Sequence, residues 1–138
     1  MKSILFLTEN YYPRVSGVPV VVQYLAEGLI ERGYNVSVCT KWYEGLPNKE
    51  NINGVYVYRF RLYKTLTKRY VGEIDAYRKF VLSLDADVVI FECSECVTTD
   101  VLLRNLTQLR GKKIFHSHGF AGMRLLPFRW NVNFKYTL

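Results

Sequence analysis

The start of this chain shows two patterns of apolar and polar residues. The first is typical of a strand and the second is typical of a helix. The run KSILFLT (2–8) is almost continuously apolar, as expected of a strand covered on both faces. VPVVVQYLAEGLIERG (18–33) has its apolar residues at helical spacing. Ser16 or Gly17 can cap the start of this helix, and Gly33 can end it. The opening residues therefore predict a strand followed by a helix.

The same alternation continues to residue 118. Period-two and buried apolar patterns predict further strands at 35–40, 55–62, 86–93 and 112–118. Helical spacing predicts two more helices, at 67–84 and 98–109. The polar segment 41–54 is predicted to be a loop. Strands that alternate with helices need crossover connections, so the predicted fold class is α/β, with a doubly wound, mainly parallel Rossmann-like sheet in a single domain.

Ligands of such sheets bind beyond the carboxyl ends of the strands. Three predicted loops, 9–17, 93–99 and 116–123, meet at that edge. Both histidines of the chain, His116 and His118, fall there as well. Residues two apart in a strand point to the same side, so we expect their imidazoles to act together only if the strand continues between them.

Composition narrows the class of partner. The chain has 138 residues, 49% of them hydrophobic, and its longest apolar runs are far shorter than the ~20 residues that span a bilayer. The formal net charge is +7, and no acidic residue follows Asp100. This excess favours an anionic partner, either ligand phosphates, a negatively charged membrane face or nucleic acid, and a solvated basic surface is the alternative. No nucleic-acid motif is present, so we expect no nucleic-acid partner.

The three cysteines have no framework spacing. They indicate free thiols in a reducing compartment, hence a cytoplasmic protein. Cys93 and Cys96 lie within ECSEC (92–96), and as a C-x-x-C pair they could be half of a zinc site completed by the two histidines, or a redox pair. A single C-x-x-C is more often incidental. Glu92 and Glu95, at the same edge, could hold sugar hydroxyls.

The loop before the first helix is a candidate phosphate site. A small-residue turn at a helix start presents backbone N–H groups and the positive end of the helix dipole. Ser16 and Gly17 would allow a phosphate to approach, and Arg14 could add charge. Neither a G-x-G-x-x-G nor a P-loop pattern is present, so a plain strand-to-helix connection is the alternative.

The stretch RFRLYKTLTKRY (59–70) interleaves basic residues with aromatic and aliphatic ones. This pattern suits a peripheral contact with anionic lipid headgroups, and it would also suit single-stranded nucleic acid. The alternative is the edge of a strand with solvated charges.

Two segments together resemble the N-terminal domain of family 4 glycosyltransferases of the GT-B fold. They are MKSILFLTENYYPRVSGVPVVVQYLAEGLIERGYNVSVCT (1–40) and KKIFHSHGF (112–120). The matching features are Pro13, the Ser16–Gly17 turn, YLAEGL, RGYNVSVCT and a later strand that ends in a histidine. Each motif is loose, but their order and spacing extend over residues 1 to about 122.

The resemblance implies transfer of a sugar from a nucleotide-sugar donor to a glycan or lipid-linked acceptor, with retention of configuration and without a metal or other cofactor. It implies that Gly17 approaches the donor diphosphate. It also implies that His118 lies against the transferred sugar as the catalytic histidine, with His116 as the alternative for that role. Otherwise we expect His116, Glu92 and Glu95 on the acceptor or sugar side, and Ser16, Gly17 and Arg14 at the donor phosphates.

The chain also departs from the family pattern. The family loop is usually Gly-Gly, where Ser16–Gly17 stands here, and the fourth strand of many members ends in histidines, where IFECSEC (90–96) stands here. The second, nucleotide-binding domain, which carries paired glutamates eight apart, is absent from these residues. We therefore expect an incomplete N-terminal, acceptor-side domain that is inactive alone, in a cytoplasmic protein that can lie peripherally at the inner face of the membrane. The alternative is a non-catalytic module that docks onto a separate nucleotide-binding chain, with 120–138 as its interface or self-association surface.

Overall fold

A computed structural model describes residues 1–67 and 69–119. Strands and helices alternate at the two ends of this region, as the sequence predicts, whereas five consecutive strands separate the first helix from the second. The strands are β1 (Ser3–Leu7), β2 (Asn35–Lys41), β3 (Lys49–Ile52), β4 (Val55–Phe60), β5 (Leu62–Lys64), β6 (Tyr70–Gly72), β7 (Val88–Glu92) and β8 (Lys112–His116). The helices are α1 (Gly17–Glu31), α2 (Ile74–Ser83) and the short α3 (Val97–Asp100), followed by a 3₁₀ turn (Leu103–Asn105).

Six strands form the main sheet, in the order β3-β4-β2-β1-β7-β8. Every neighbouring pair is parallel except β3 with β4. The predicted doubly wound, mainly parallel sheet is therefore confirmed. β2 and β4 lie on one side of β1, and β7 and β8 lie on the other. The strand order thus reverses between β1 and β7, which is where sheets of this class open a crevice for ligands.

β1 is buried on both faces of the sheet, which explains its continuous apolar run. Ile4 and Phe6 pack on the side of α1, in a cluster with Val22 and Ala26 of that helix. Leu5 and Leu7 point to the opposite face of the sheet and pack in a second cluster, which contains Tyr77 and Val81 of α2. Alternate residues of a strand point to opposite faces, so each β1 side chain serves one of two cores.

The segment 41–54, predicted to be a loop, contains β3. This strand pairs antiparallel with β4, with Ile52 opposite Val55. Asn53 and Gly54 form the two-residue turn between them, with φ of 51° and 90°. Asn-Gly is the sequence most typical of hairpin turns that need positive φ at both positions, so the signal was present in the sequence and was missed.

The helix predicted at 67–84 begins later than expected. Residues 70–72 instead form β6, which pairs antiparallel with β5, and α2 starts only at Ile74. Gly72 has a φ of 105°, and a Cβ built there would lie 2.1 Å from the carbonyl oxygen of Arg61. This close backbone approach is compatible only with glycine and not with a helix.

The helix predicted at 98–109 is also largely absent. α3 has four residues, and hydrogen-bonded turns and the 3₁₀ turn follow it. The hydroxyl of Thr99 donates to the carbonyl of Cys93 at 2.9 Å. Side-chain bonds of this kind offer the backbone an alternative to the helical ladder, which helical periodicity alone does not reveal.

Candidate functional site

A cavity of about 290 Å³ opens at the carboxyl ends of β1 and β7, where the strand order reverses. Its walls come from three places along the chain: the residues after β1, the start of α1 and the end of β7. The lining residues are Thr8, Glu9, Asn10, Ser16, Gly17, Val18, Pro19, Glu92, Cys93 and Cys96. A concave pocket at this position is the expected ligand site of a doubly wound sheet.

The start of α1 supplies one wall. The helix begins at Gly17, and Ser16 is its extended N-cap residue with no side-chain capping hydrogen bond. The first turn contains no acidic residue. Because the first N–H groups of a helix have no partner within it, this end attracts anions. Gly17 has a φ of 41°, and no atom lies within 4 Å of the position a Cβ would take, so space remains beside the backbone.

Arg14, predicted to join this phosphate site, is not among the residues that line the cavity. Its guanidinium lies over the ring of Tyr43, 4.2 Å from the centroid. The Tyr43 hydroxyl donates to the side chain of Asn10, which does line the cavity. Burial raises the pKa of Tyr43, so the phenol remains protonated and holds this donor role. Arg14 is therefore adjacent to the cavity rather than within its walls.

The two histidines meet on one carboxylate. Nδ1 of His116 lies 3.0 Å from Oε2 of Glu92, and Nε2 of His118 contacts the same oxygen. The ring centroids of the histidines are 3.8 Å apart. Glu92 and His116 are register partners on β7 and β8, which brings their side chains together.

The expectation that the rings need a continuous strand was wrong. β8 ends at His116, two residues earlier than predicted, and His118 has a left-handed φ of 51°. The turn, and not strand alternation, brings the second imidazole back onto Glu92. Left-handed geometry at a residue other than glycine is uncommon and leaves no mark in hydrophobic periodicity.

Glu92 is the most enclosed member of this cluster. Its side chain has no exposed surface, that of His118 is 15% exposed and that of His116 is 44% exposed. A buried carboxylate needs hydrogen-bond donors or a cation, and the two imidazoles meet this need at Oε2. Oε1 has no hydrogen-bond partner among the described residues. Because Glu92 also lines the cavity, it connects His118 to that cavity.

The structure thus brings together most of the site residues predicted from sequence. Ser16, Gly17 and Glu92 line one cavity, and both histidines contact Glu92. Glu95 is half-buried, with a left-handed φ of 58°, and does not line the cavity. The roles predicted for these residues remain predictions. The sequence analysis did not name Thr8 and Asn10, which also line the cavity. Their position just after β1 is the one signal that could have indicated this.

The Cys₂His₂ alternative does not match the geometry. The metal-ligand group found among residues 1–67 and 69–119 contains Glu92, His116 and His118, whose ligand atoms lie within 4.8 Å of one another, and no cysteine. The Cys96 thiol contacts the hydroxyls of Thr98 and Thr99 at 3.4 and 3.3 Å. The hydrogen bonds of the Cys96 sulfur are thus made to threonines and to backbone carbonyls, not to the histidines.

The redox alternative can be tested through Cys93. Burial raises the pKa of its thiol to about 11, with further increases from the nearby Cys96 and Glu92. Reactive cysteines have lowered pKa values, because the thiolate is the nucleophile. We expect alkylation of Cys93 by iodoacetamide to be slow at neutral pH and to rise about tenfold per pH unit until the pH approaches 11. The rate would be followed by peptide mass spectrometry, with the urea-unfolded chain as control, and a plateau below pH 9 would contradict the assignment.

The basic stretch 59–70 is only partly available to a membrane. Arg59 is buried, so it cannot contact lipid. Arg61 stacks on Trp42 at 4.3 Å, whereas Leu66 is fully exposed at the tip of the β5–β6 hairpin. No helix in the described part of the chain is both long enough and apolar enough to cross a membrane. The predicted interface at 120–138, like Lys68, lies outside the described residues.

Comparisons with known proteins extend this picture. The model of glycosyltransferase family 4 matches residues 15–136. An uncharacterized glycosyltransferase of Methanocaldococcus jannaschii is 49% identical over 59 residues, which are 42% of this chain and 15% of that protein. The structure of a sucrose-phosphate synthase from Thermosynechococcus elongatus superposes with a TM-score of 0.66 and 12% identity, over 91% of this chain and 36% of that one.

The structural likeness shows that the two chains share a fold, that of one half of a GT-B glycosyltransferase. The matched regions span about a third or less of the length of either relative. The family model covers most of this chain, including α1, both histidines and the part of the cavity lining that begins at Ser16. The chain belongs to glycosyltransferase family 4.

Proposed function

We propose that the chain is the N-terminal, acceptor-side domain of a two-domain retaining glycosyltransferase. In this proposal the enzyme transfers a sugar from a nucleotide-sugar to a glycan or lipid-linked acceptor. Membership of the family supports sugar transfer in general. The observation that carries the finer proposal is the cavity between β1 and β7, with the uncapped start of α1 on one wall and Glu92, in contact with His118, on another.

The start of α1 is proposed to bind the donor diphosphate. The N-terminal N–H groups and the helix dipole stabilise negative charge, and each such interaction contributes about 0.3–1 kcal/mol. Gly17 has no side chain to keep a phosphate away from these groups. Glu92 lies on another wall of the same cavity and contacts His118, so in this proposal the bond between sugar and phosphate would lie near that histidine.

His118 is proposed to stabilise charge as the bond between the anomeric carbon and the phosphate oxygen breaks. Its Nε2 is held on the buried carboxylate of Glu92, which fixes the orientation of the ring and favours a proton on that nitrogen. An imidazole supported in this way can carry partial positive charge, and preorganised charges of this kind are a large part of catalysis. Glu92 therefore acts through His118 as a positioning residue.

A lipid-linked acceptor and a peripheral membrane contact are supported by the β5–β6 hairpin. Its exposed Leu66 is flanked by the exposed basic residues Lys64 and Arg69. An apolar tip with basic neighbours suits the headgroup region of an anionic bilayer, which attracts cationic side chains. We propose a cytoplasmic enzyme that meets its acceptor at the inner face of the membrane, with no metal or other cofactor in the transfer step.

The direct test is a donor screen with the two-domain enzyme. A panel of nucleotide-sugars would be incubated with glycan and polyprenyl-phosphate acceptors, and release of the nucleoside diphosphate would be measured. The anomeric configuration of the product would be read from its NMR coupling constants. Turnover with retention supports the proposal. Inversion, or no turnover with any donor, would overturn it.

Gly17 and Gly33 form a matched pair for testing the phosphate contact. Both have positive φ, 41° and 84°, and at both a Cβ would meet nothing within 4 Å. Replacement by alanine should therefore introduce similar backbone strain at the two positions, about 1–2 kcal/mol each. Gly33 follows the other end of α1, roughly 24 Å away at the rise of an α-helix. We expect Gly17→Ala to raise the donor KM about tenfold, the equivalent of ~1.4 kcal/mol, and Gly33→Ala to leave it unchanged. Equal KM values for the two variants would contradict a phosphate contact at Gly17.

A further inference from the structure

The side chains of Glu92, His116 and His118 form a cluster with a second possible use. We propose that this cluster, which we call the Glu-His-His cluster, binds a divalent transition-metal ion, best matched by Zn²⁺. The ligand atoms would be a carboxylate oxygen of Glu92, Nδ1 of His116 and Nε2 of His118. The proposed transfer reaction needs no metal, so the ion would be an added ligand of the site and not a participant in transfer.

The spacing of the three ligand atoms is close to what zinc requires. All of them lie within 4.8 Å of one another, and Nδ1 of His116 is 3.0 Å from Oε2 of Glu92. Zinc bonds of about 2.0–2.2 Å in a tetrahedral arrangement separate neighbouring ligand atoms by about 3.3 Å. The ion would therefore be admitted by small movements of these side chains, chiefly a widening of the contact between Glu92 and His118.

The buried carboxylate of Glu92 gives an independent argument for the site, because one of its oxygens could still accept a ligand. Glu92 is fully buried, yet its Oε1 has no hydrogen-bond partner among the described residues. An unpaired buried carboxylate oxygen costs roughly 1–3 kcal/mol, more when it is charged. Both imidazoles contact Oε2, so their hydrogen bonds to Glu92 do not reduce the cost at Oε1. A cation that is bound through Oε1 would remove it.

The identity of the ligands selects the class of ion. Two imidazole nitrogens and one carboxylate oxygen are the protein ligands of many open zinc sites, in which water or another group completes the coordination. Mg²⁺ and Ca²⁺ prefer all-oxygen ligand sets, so they are poor candidates. The partial exposure of His116, 44% of its side chain, provides a route for the ion and a free position for water.

Binding would also have a functional consequence, which rests on the proposed function. Coordination uses the lone pair of His118 Nε2, the nitrogen that otherwise meets Glu92 in the metal-free arrangement. The ring would then be fixed to the ion and could not support the developing charge on the donor. Zinc is therefore expected to inhibit transfer, and its removal by a chelator is expected to restore activity.

The binding test uses the 138-residue chain with ZnCl₂ in calorimetry and CoCl₂ in visible absorption. We expect one ion per chain, a tetrahedral cobalt spectrum and a zinc-dependent rise in Tm, as mass action requires for a ligand of the folded state. Glu92→Gln preserves the size of the side chain, and it and His116→Ala are each expected to weaken binding at least tenfold. Cys93→Ser, a change at a neighbouring thiol outside the cluster, should leave binding intact.

The outcomes separate the two proposals. No binding, unchanged affinity in Glu92→Gln and His116→Ala, or loss of binding in Cys93→Ser would overturn the metal site, because the ion would then be held by other groups or not at all. Circular dichroism of each variant would exclude loss of fold as the cause. Zinc binding without inhibition of an active two-domain enzyme would overturn the inhibitory consequence. Absence of any transferase activity would overturn the proposed function alone, since binding is measured without turnover.

Discussion

Replacing His118 with alanine in the proposed two-domain enzyme is expected to lower kcat at least 100-fold, whereas His116→Ala is expected to lower it less than tenfold. Positioned groups that transfer or stabilise charge in a transition state contribute about 10²- to 10⁴-fold. His118 has the enclosed side chain, 15% exposed against 44% for His116. A ring shielded from water has the stronger electrostatic effect on a bound donor.

The measurement is the steady-state kcat and donor KM of each variant, with circular dichroism to confirm the fold. Glu92→Gln provides a second test, because it removes the carboxylate charge that contacts the imidazole of His118. If Glu92 acts through His118, Glu92→Gln should lower kcat in the wild-type background and have no further effect beside His118→Ala. Equal losses in the two histidine variants would refute the assignment of His118.

The central sheet could be predicted because burial on two faces leaves a strong mark in sequence. β1, β2 and β7 are short apolar segments bounded by polar ones, and the residues of α1 that face the sheet recur at helical spacing. Such patterns follow from burial, whichever residues are used. Alternation of strands and helices then restricts the topology to a parallel sheet, and with it the edge where a ligand binds.

The elements that were wrongly predicted depend on backbone contacts rather than on burial. β3 depends on a turn at Asn53–Gly54, and the β5–β6 hairpin depends on the close approach of Gly72 to Arg61. Neither contact changes the hydrophobic period. Turn chemistry would have revealed the first, but nothing in one sequence reports which backbone atom will face Gly72.

The Glu-His-His cluster could be predicted from the sequence only in part. Its members could be named from sequence, because each ends or follows a predicted strand at the ligand edge. The contact of these three side chains with one another could not be predicted, because it depends on a left-handed turn at His118 and on the register that pairs Glu92 with His116. Glu92 also occupies the strand end at which many family members carry histidines. The departure from the family pattern in IFECSEC (90–96) thus includes the residue that contacts both imidazoles.

Replacing Arg59 with methionine is expected to lower the free energy of unfolding by about 3 kcal/mol, because it removes a buried cation that joins three segments. Its guanidinium donates to the carbonyl oxygens of Tyr12 and Pro47, each at 3.1 Å, and pairs with Glu50. Methionine fills a similar volume, so the loss would report the missing donors rather than a cavity. Both carbonyls would remain near the core without these donors.

Arg61→Met is the matched control for this change. Arg61 is two residues further along, its side chain is 43% exposed, and its nearest ion-pair distance to Glu73 is 3.7 Å. An exposed pair of this kind contributes about 0–1 kcal/mol, so urea unfolding should show a much smaller loss. Similar losses in both variants would mean that Arg59 acts as an ordinary surface charge. A larger loss at Arg59, with faster hydrogen exchange in residues 11–17, would show that this buried cation also fixes the loop that leads to Gly17.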